Sequence, residues 1–107
     1  MYTALFLHWA FTTTTSSAET IFANRILLSV LKEKSRKDLA KIHQAGVCHG
    51  DVCGHNILVD ILGNVVYIDF GFSRQYSKKY EARDWESWRQ MWTEIEEIAR
   101  ATDPEEL

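Results

Sequence analysis

Three chemistry-bearing residues at fixed spacing constrain this chain more than anything else in it. They are Asp51, Asn56 five positions on, and Asp69 at the head of an Asp69-Phe70-Gly71 triplet. Between Asn56 and Asp69 lie two short apolar runs, Ile57-Leu58-Val59-Asp60 and Val65-Val66-Tyr67-Ile68, separated by the turn-forming Leu62-Gly63-Asn64. β-Branched residues on both arms and glycine at the reversal predict a tight β-hairpin. Such a hairpin ties the loop that carries Asp51 and Asn56 to the loop that carries Asp69, so residues distant in sequence meet at one end of a rigid element.

In front of this unit, Leu39-Ala40-Lys41-Ile42-His43-Gln44-Ala45-Gly46-Val47-Cys48 leads into His49-Gly50-Asp51 as a helix followed by an extended segment. Together, the entry, the loop, the hairpin and Asp-Phe-Gly resemble the protein-kinase-like family from about Ile21 to Arg74. The resemblance implies ATP-dependent phosphorylation of a hydroxyl on a protein or a small molecule. Asp51 would accept or orient the proton of the attacking hydroxyl, as the catalytic base beside Asn56. Asn56 and Asp69 would hold Mg²⁺ at the nucleotide phosphates. Phe70 would pack, and Gly71 would let the chain turn sharply. Each residue taken alone also fits a plainer role, Asp51 and Asp69 as turn or cap residues and Asn56 closing an Asx-turn.

Departures from the family pattern narrow the branch. Gly50 stands where regulated protein kinases carry an arginine that pairs with a phosphorylated activation loop, which argues against control of that kind. Cys53 replaces the lysine that serine/threonine kinases place two residues after the base, and no Ala-Pro-Glu follows Asp-Phe-Gly. Both features resemble the atypical, aminoglycoside-phosphotransferase-like or fungal kinase-like branches.

The five glycines, Gly46, Gly50, Gly54, Gly63 and Gly71, form no G-x-G-x-x-G phosphate loop. The chain ahead of the catalytic loop is also too short for the strand and helix that carry the family's phosphate-binding lysine and its glutamate partner. The expectation is a single partial domain over residues 1–107, a C-terminal-lobe fragment of α+β class, mainly helical, without its small lobe. The isolated chain would be weakly active or inactive. The alternative is a non-catalytic remnant or binding module. Residues 1–11 resemble the strand leading into the interlobe hinge, and its uncovered edge would favour self-association or a partner covering the missing lobe.

A chain of 107 residues that is 46% hydrophobic is long enough for one core. Its formal charge of −3, with scattered Lys and Arg, gives no nucleic-acid footprint. The apolar start is too short to span a bilayer and lacks the basic residues of a secretory signal. Two cysteines and no export signal suggest reduced thiols and a cytoplasmic location.

Polar Thr12 to Ser17 reads as a loop, and Ser16 with Glu19 has the form of a capping box. Helix is expected over residues 16–46, with Ile21, Leu27, Leu28, Leu31, Leu39 and Ile42 at helical spacing and Gly46 as its stop. The polar run Lys32 to Lys37 is expected to bend or divide it. An amphipathic helix is expected over residues 84–101, with Trp85, Trp88, Trp92, Ile95 and Ala99 on the apolar stripe. Asp84 would either cap that helix or, as in the kinase-like family, hydrogen-bond the catalytic-loop backbone. Cys48, His49, Cys53 and His55 are all potential zinc ligands, but their spacing lacks paired knuckles. Buried Cys48 and hydrogen-bonded His43 and His49 are the simpler expectation.

Overall fold

The computed structural model describes residues 3–4, 18–60 and 62–101. The chain order is strand β1 (Thr3–Ala4), helix α1 (Ala18–Gln44), β2 (Val47–Cys48), β3 (Ile57–Val59), β4 (Val65–Tyr67), a 3-10 turn (Phe70–Phe72), β5 (Arg74–Gln75) and helix α2 (Lys78–Ala101). This is a mainly helical α+β arrangement with a short hairpin. The loop expected over Thr12 to Ser17, the Ser16–Glu19 box and most of the strand expected over residues 1–11 lie outside the described residues. Of that strand, Thr3 pairs with Val59 and Ala4 with Leu58, antiparallel.

Helix α1 runs unbroken through Lys32 to Lys37, correcting the expected interruption. The reason is local. These residues are mostly good helix formers, and the Arg36 guanidinium grips the Glu33 carboxylate one turn back with two hydrogen bonds, at 2.6 and 3.0 Å. That grip holds the Glu33 carboxyl below its ordinary range and pushes the Arg36 guanidinium up. The run also contributes a core residue, because Ser35 falls on the buried stripe of Leu28, Leu31, Leu39 and His43. Gly46, at φ +90°, closes the helix in a conformation that costs a β-carbon-bearing residue strain, and its N–H bonds the His43 carbonyl.

The hairpin forms as expected, with Ile57 opposite Tyr67 and Val59 opposite Val65. Asp60, expected as the end of an arm, instead organises the turn. Its carboxylate accepts the backbone N–H groups of Leu62 (3.0 Å) and Asn64 (2.8 Å) and the Asn64 side-chain amide (2.9 Å). The Asn64 bonds hold the Asp60 carboxyl below its ordinary range. Gly63 takes a positive φ, and its carbonyl accepts Lys34 Nζ at 2.8 Å, pinning the turn to α1.

Helix α2 begins at Lys78, six residues before the expected start. Its first turns are polar and carry no apolar period. The Ser77 hydroxyl accepts the Tyr80 N–H at 3.2 Å and caps the helix. The core joins α1, α2 and the hairpin: Leu31, Leu39, Ile57, Val59, Trp92 and Ile95 are almost fully enclosed. Trp88 and Trp92 both donate their indole N–H to the Ser35 hydroxyl, at 3.0 and 3.1 Å, and Tyr67 donates to the Ser35 carbonyl at 2.7 Å. One serine thereby satisfies two buried indoles. No helix among the described residues is long and apolar enough to cross a membrane.

Candidate functional site

Asp84 is the residue on which the site is hung. It sits two turns into α2, not at its start, so the N-cap reading is corrected in favour of the loop-binding one. Its carboxylate is buried and accepts three donors: His49 N–H at 2.8 Å, Gly50 N–H at 3.0 Å and His43 Nε2 at 2.9 Å. The helix thereby grips the backbone of the loop immediately before Asp51. A buried carboxylate needs such donors to offset its desolvation.

His49 joins the two loops. Its Nδ1 accepts the Asp51 N–H at 3.1 Å, so its proton lies on Nε2, which donates to the Ile68 carbonyl at 2.7 Å. These two partners fix the neutral tautomer. The ring also packs edge-on to Tyr67 and Phe70, with centroids 5.8 and 4.6 Å away. Phe70 is held on that side while the rest of its ring is exposed.

Asn56 makes the second connection. Its side-chain amide nitrogen donates to the Asp51 backbone carbonyl (2.9 Å) and to the Asp51 carboxylate (2.8 Å). Two acceptors at that end fix the amide orientation and leave its carbonyl oxygen as an uncommitted donor atom. Its backbone carbonyl accepts the Ile68 N–H at 2.8 Å, directly before Asp69. Asp51 and Asn56 are thus in contact, and Asp69 starts one residue beyond a bond to Asn56.

Asp69 takes a left-handed conformation, φ 60° and ψ 70°, and is the one non-glycine residue with positive φ among those described. The sharp turn falls on Asp69, correcting the expectation that Gly71 makes it. Strain of this kind persists only where the surroundings enforce it. The absent side chain of Gly71 has a different use, since a β-carbon there would lie 3.3 Å from Asp69 Oδ1.

Gly50 has the tightest constraint. Its φ is +89°, and a β-carbon would stand 2.2 Å from the Phe72 carbonyl oxygen. The Asp51 loop and the segment after Asp69 therefore touch backbone to backbone, and β2 and β5 pair antiparallel beside them, Cys48 opposite Arg74.

Cys48 is buried, as expected, with Sγ 3.9 Å from the Ser77 carbonyl. The four zinc-type residues do not gather. Instead His43, Cys48 and Asp84 bring ligand atoms within 4.8 Å, but His43 Nε2 is bonded to Asp84, and both Asp84 oxygens already serve the loop. Sequence reasoning missed Ser35 and the turn role of Asp60. It also missed Ser77, although a serine ahead of Glu81 was a legible cap.

A buried aspartate gripping a His-Gly-Asp loop, tied through a hairpin to a strained Asp-Phe-Gly, defines a kinase-type centre. Residues 20–103 match the family model for protein tyrosine and serine/threonine kinases, and the chain belongs to that family. It is similar to the serine/threonine-protein kinase SSK22 of Saccharomyces cerevisiae, 50% identical over 34% of this chain and 3% of that protein. It is also similar to 3-deoxy-D-manno-octulosonic acid kinase of Vibrio parahaemolyticus, 40% identical over 57% of this chain and 28% of that protein. A third relative is a probable bifunctional tRNA threonylcarbamoyladenosine biosynthesis protein of Methanothermobacter thermautotrophicus, 47% identical over 34% of this chain and 7% of that protein. The chain spans under a third of each of these relatives. No solved structure matches it closely.

Proposed function

We propose that this chain carries the catalytic and metal-binding loops of an ATP-dependent phosphotransferase that acts on a hydroxyl. The observation that carries the reading is the pair of hydrogen bonds from the Asn56 amide nitrogen to Asp51, with the Asn56 carbonyl oxygen left uncommitted. Asp51 then presents a carboxylate held in place, which orients the acceptor hydroxyl and takes its proton. The Asn56 carbonyl oxygen and the Asp69 carboxylate are hard oxygen donors, the set that suits Mg²⁺ rather than zinc. When bound, Mg²⁺-ATP supplies the transferable phosphoryl group and the charge neutralisation it needs. His49 keeps the Asp51 and Asp69 loops in register throughout, because it bonds both.

Mn²⁺ in place of Mg²⁺, added with ATP, tests the reading by nuclear magnetic resonance. The amide signals of Asn56 and Asp69 should broaden first, and Asp69→Ala should abolish the effect. Broadening spread over surface carboxylates, or none, overturns it. A non-catalytic binding module would show this broadening without phosphate transfer to any acceptor.

A further inference from the structure

A cavity of about 190 Å³ lies against the Asp51 loop, between β5 and α2. Arg74, Arg83 and Ser87 line it, and so do Gly50, next to Asp51 in the chain, and Phe72. The two guanidiniums stand over the same ring, 5.1 and 5.5 Å from the Tyr80 centroid, and Lys79 adds a third cation at 6.0 Å. Both arginines are exposed, so water screens their mutual repulsion, and each offers its fork to an incoming anion. The ion pairs among the described residues, Lys32–Glu96, Arg36–Glu33 and His43–Asp84, leave all three out. The Asp84 carboxylate reaches the cavity floor, but its oxygens already accept from His43, His49 and Gly50.

Among the described residues no segment is placed to fill this space. From Gly71 to the start of α2 run only the six residues Phe72 to Ser77, and their middle is held in the β2–β5 pairing. Water takes roughly 30 Å³ of liquid volume per molecule, so the cavity has room for a tetrahedral or carboxylate group with part of its carrier. Arginine's planar fork matches both groups.

We propose that this cavity binds the anionic end, phosphate or carboxylate, of a small hydroxyl-bearing acceptor. Arg74 and Arg83 clasp the anion while the carrier extends past Gly50 towards Asp51. The assignment of the ligand as acceptor rests on the phosphotransferase reading above; the anion site itself rests on the cavity.

The test is a titration of the chain with inorganic phosphate, read on the arginine Nε–H resonances. Arg74 and Arg83 should shift together and saturably, while Arg36, already held by Glu33, stays still. Arg74→Gln and Arg83→Gln should each weaken binding about tenfold or more, and Arg83→Lys by less, with the circular dichroism spectrum of each variant unchanged. Equal shifts on every arginine, or affinity unaltered in both glutamine variants, overturn the site. Glycerol 3-phosphate, glycerate and glycerol then separate the chemistries. The two anionic compounds should bind and neutral glycerol should not, with nuclear Overhauser contacts from the carrier protons to Asp51 or Val52. Contacts directed only away from Asp51 overturn the acceptor assignment. Failure of the phosphotransferase reading shows separately, in the Mn²⁺-ATP experiment, with the phosphate titration unaffected.

Discussion

The carboxylate of Asp84 accepts the backbone N–H of His49 at 2.8 Å across 35 positions of chain, so helix α2 holds the loop before Asp51. Replacing Asp84 by alanine strands the His49 N–H and His43 Nε2 in a buried place and frees the Gly50 N–H. Each lost buried partner costs about 1–3 kcal/mol. The Asp84→Ala chain should lose roughly 3–5 kcal/mol in urea unfolding. Asp84→Asn, which keeps one acceptor oxygen, should lose less.

A second prediction concerns Ser35. Its hydroxyl is the shared acceptor for Trp88 and Trp92, so Ser35→Ala leaves two indole N–H groups buried and unpaired. The expected loss is about 2–4 kcal/mol, with a change in the near-ultraviolet circular dichroism to which the two tryptophans contribute. A variant as stable as the parent would show that water replaces the hydroxyl.

Much of the architecture was written plainly in the residues. The hairpin was legible because β-branched residues flank a glycine turn, and the tryptophan stripe of α2 because its period is helical. The link from Asp84 to the loop was legible only as one of two options, since a carboxylate near a helix start serves either purpose. What stayed hidden has a common cause. Ser35 reads as an interruption in a polar run, yet it faces inward because its neighbours one turn away are Leu31 and Leu39. The start of α2 was misplaced because Lys78 to Arg83 carry no apolar period, leaving only the Ser77 cap to mark it. The left-handed Asp69 could not be read from residue type, because aspartate seldom takes that conformation unless its surroundings enforce it.

Burial of Tyr67, aided by the negative charges of Asp38 and Asp84, pushes its phenol above the ordinary 10.0. The unfolded chain releases that proton near pH 10 while the folded chain keeps it, so folding stability is constant below that point and falls as pH rises above it. Denaturant midpoints measured from pH 8 to 11 should show this decline. Tyr67→Phe should flatten it, at the cost of the bond to the Ser35 carbonyl.

Gly50→Ala should be costly for a surface-exposed glycine. The added carbon meets both the positive φ and the Phe72 carbonyl, and the strain and overpacking together amount to roughly 2–5 kcal/mol. Thermal unfolding of the variant measures it, and an unchanged midpoint would show that the two loops separate easily.

Phosphate transfer by the isolated chain should be very slow. Its five glycines include no G-x-G-x-x-G loop, and lacking three or four charge-assisted contacts to the phosphates at about 1.5–3 kcal/mol each would cost roughly 10³ to 10⁹ in rate. Incubation with Mg²⁺ and γ-labelled ATP beside an Asp51→Ala control is the check. Label transfer at an ordinary kinase rate that vanishes in the control would show that the chain assembles a complete site.

The contact between Gly50 and the Phe72 carbonyl also bears on how such a site can be governed. An arginine introduced at position 50 would find no room for its first side-chain carbon, whatever its charge met further out. Main-chain spacing therefore opposes switching through an arginine at this one position. Admitting that side chain would need the Gly50 and Phe72 segments to part.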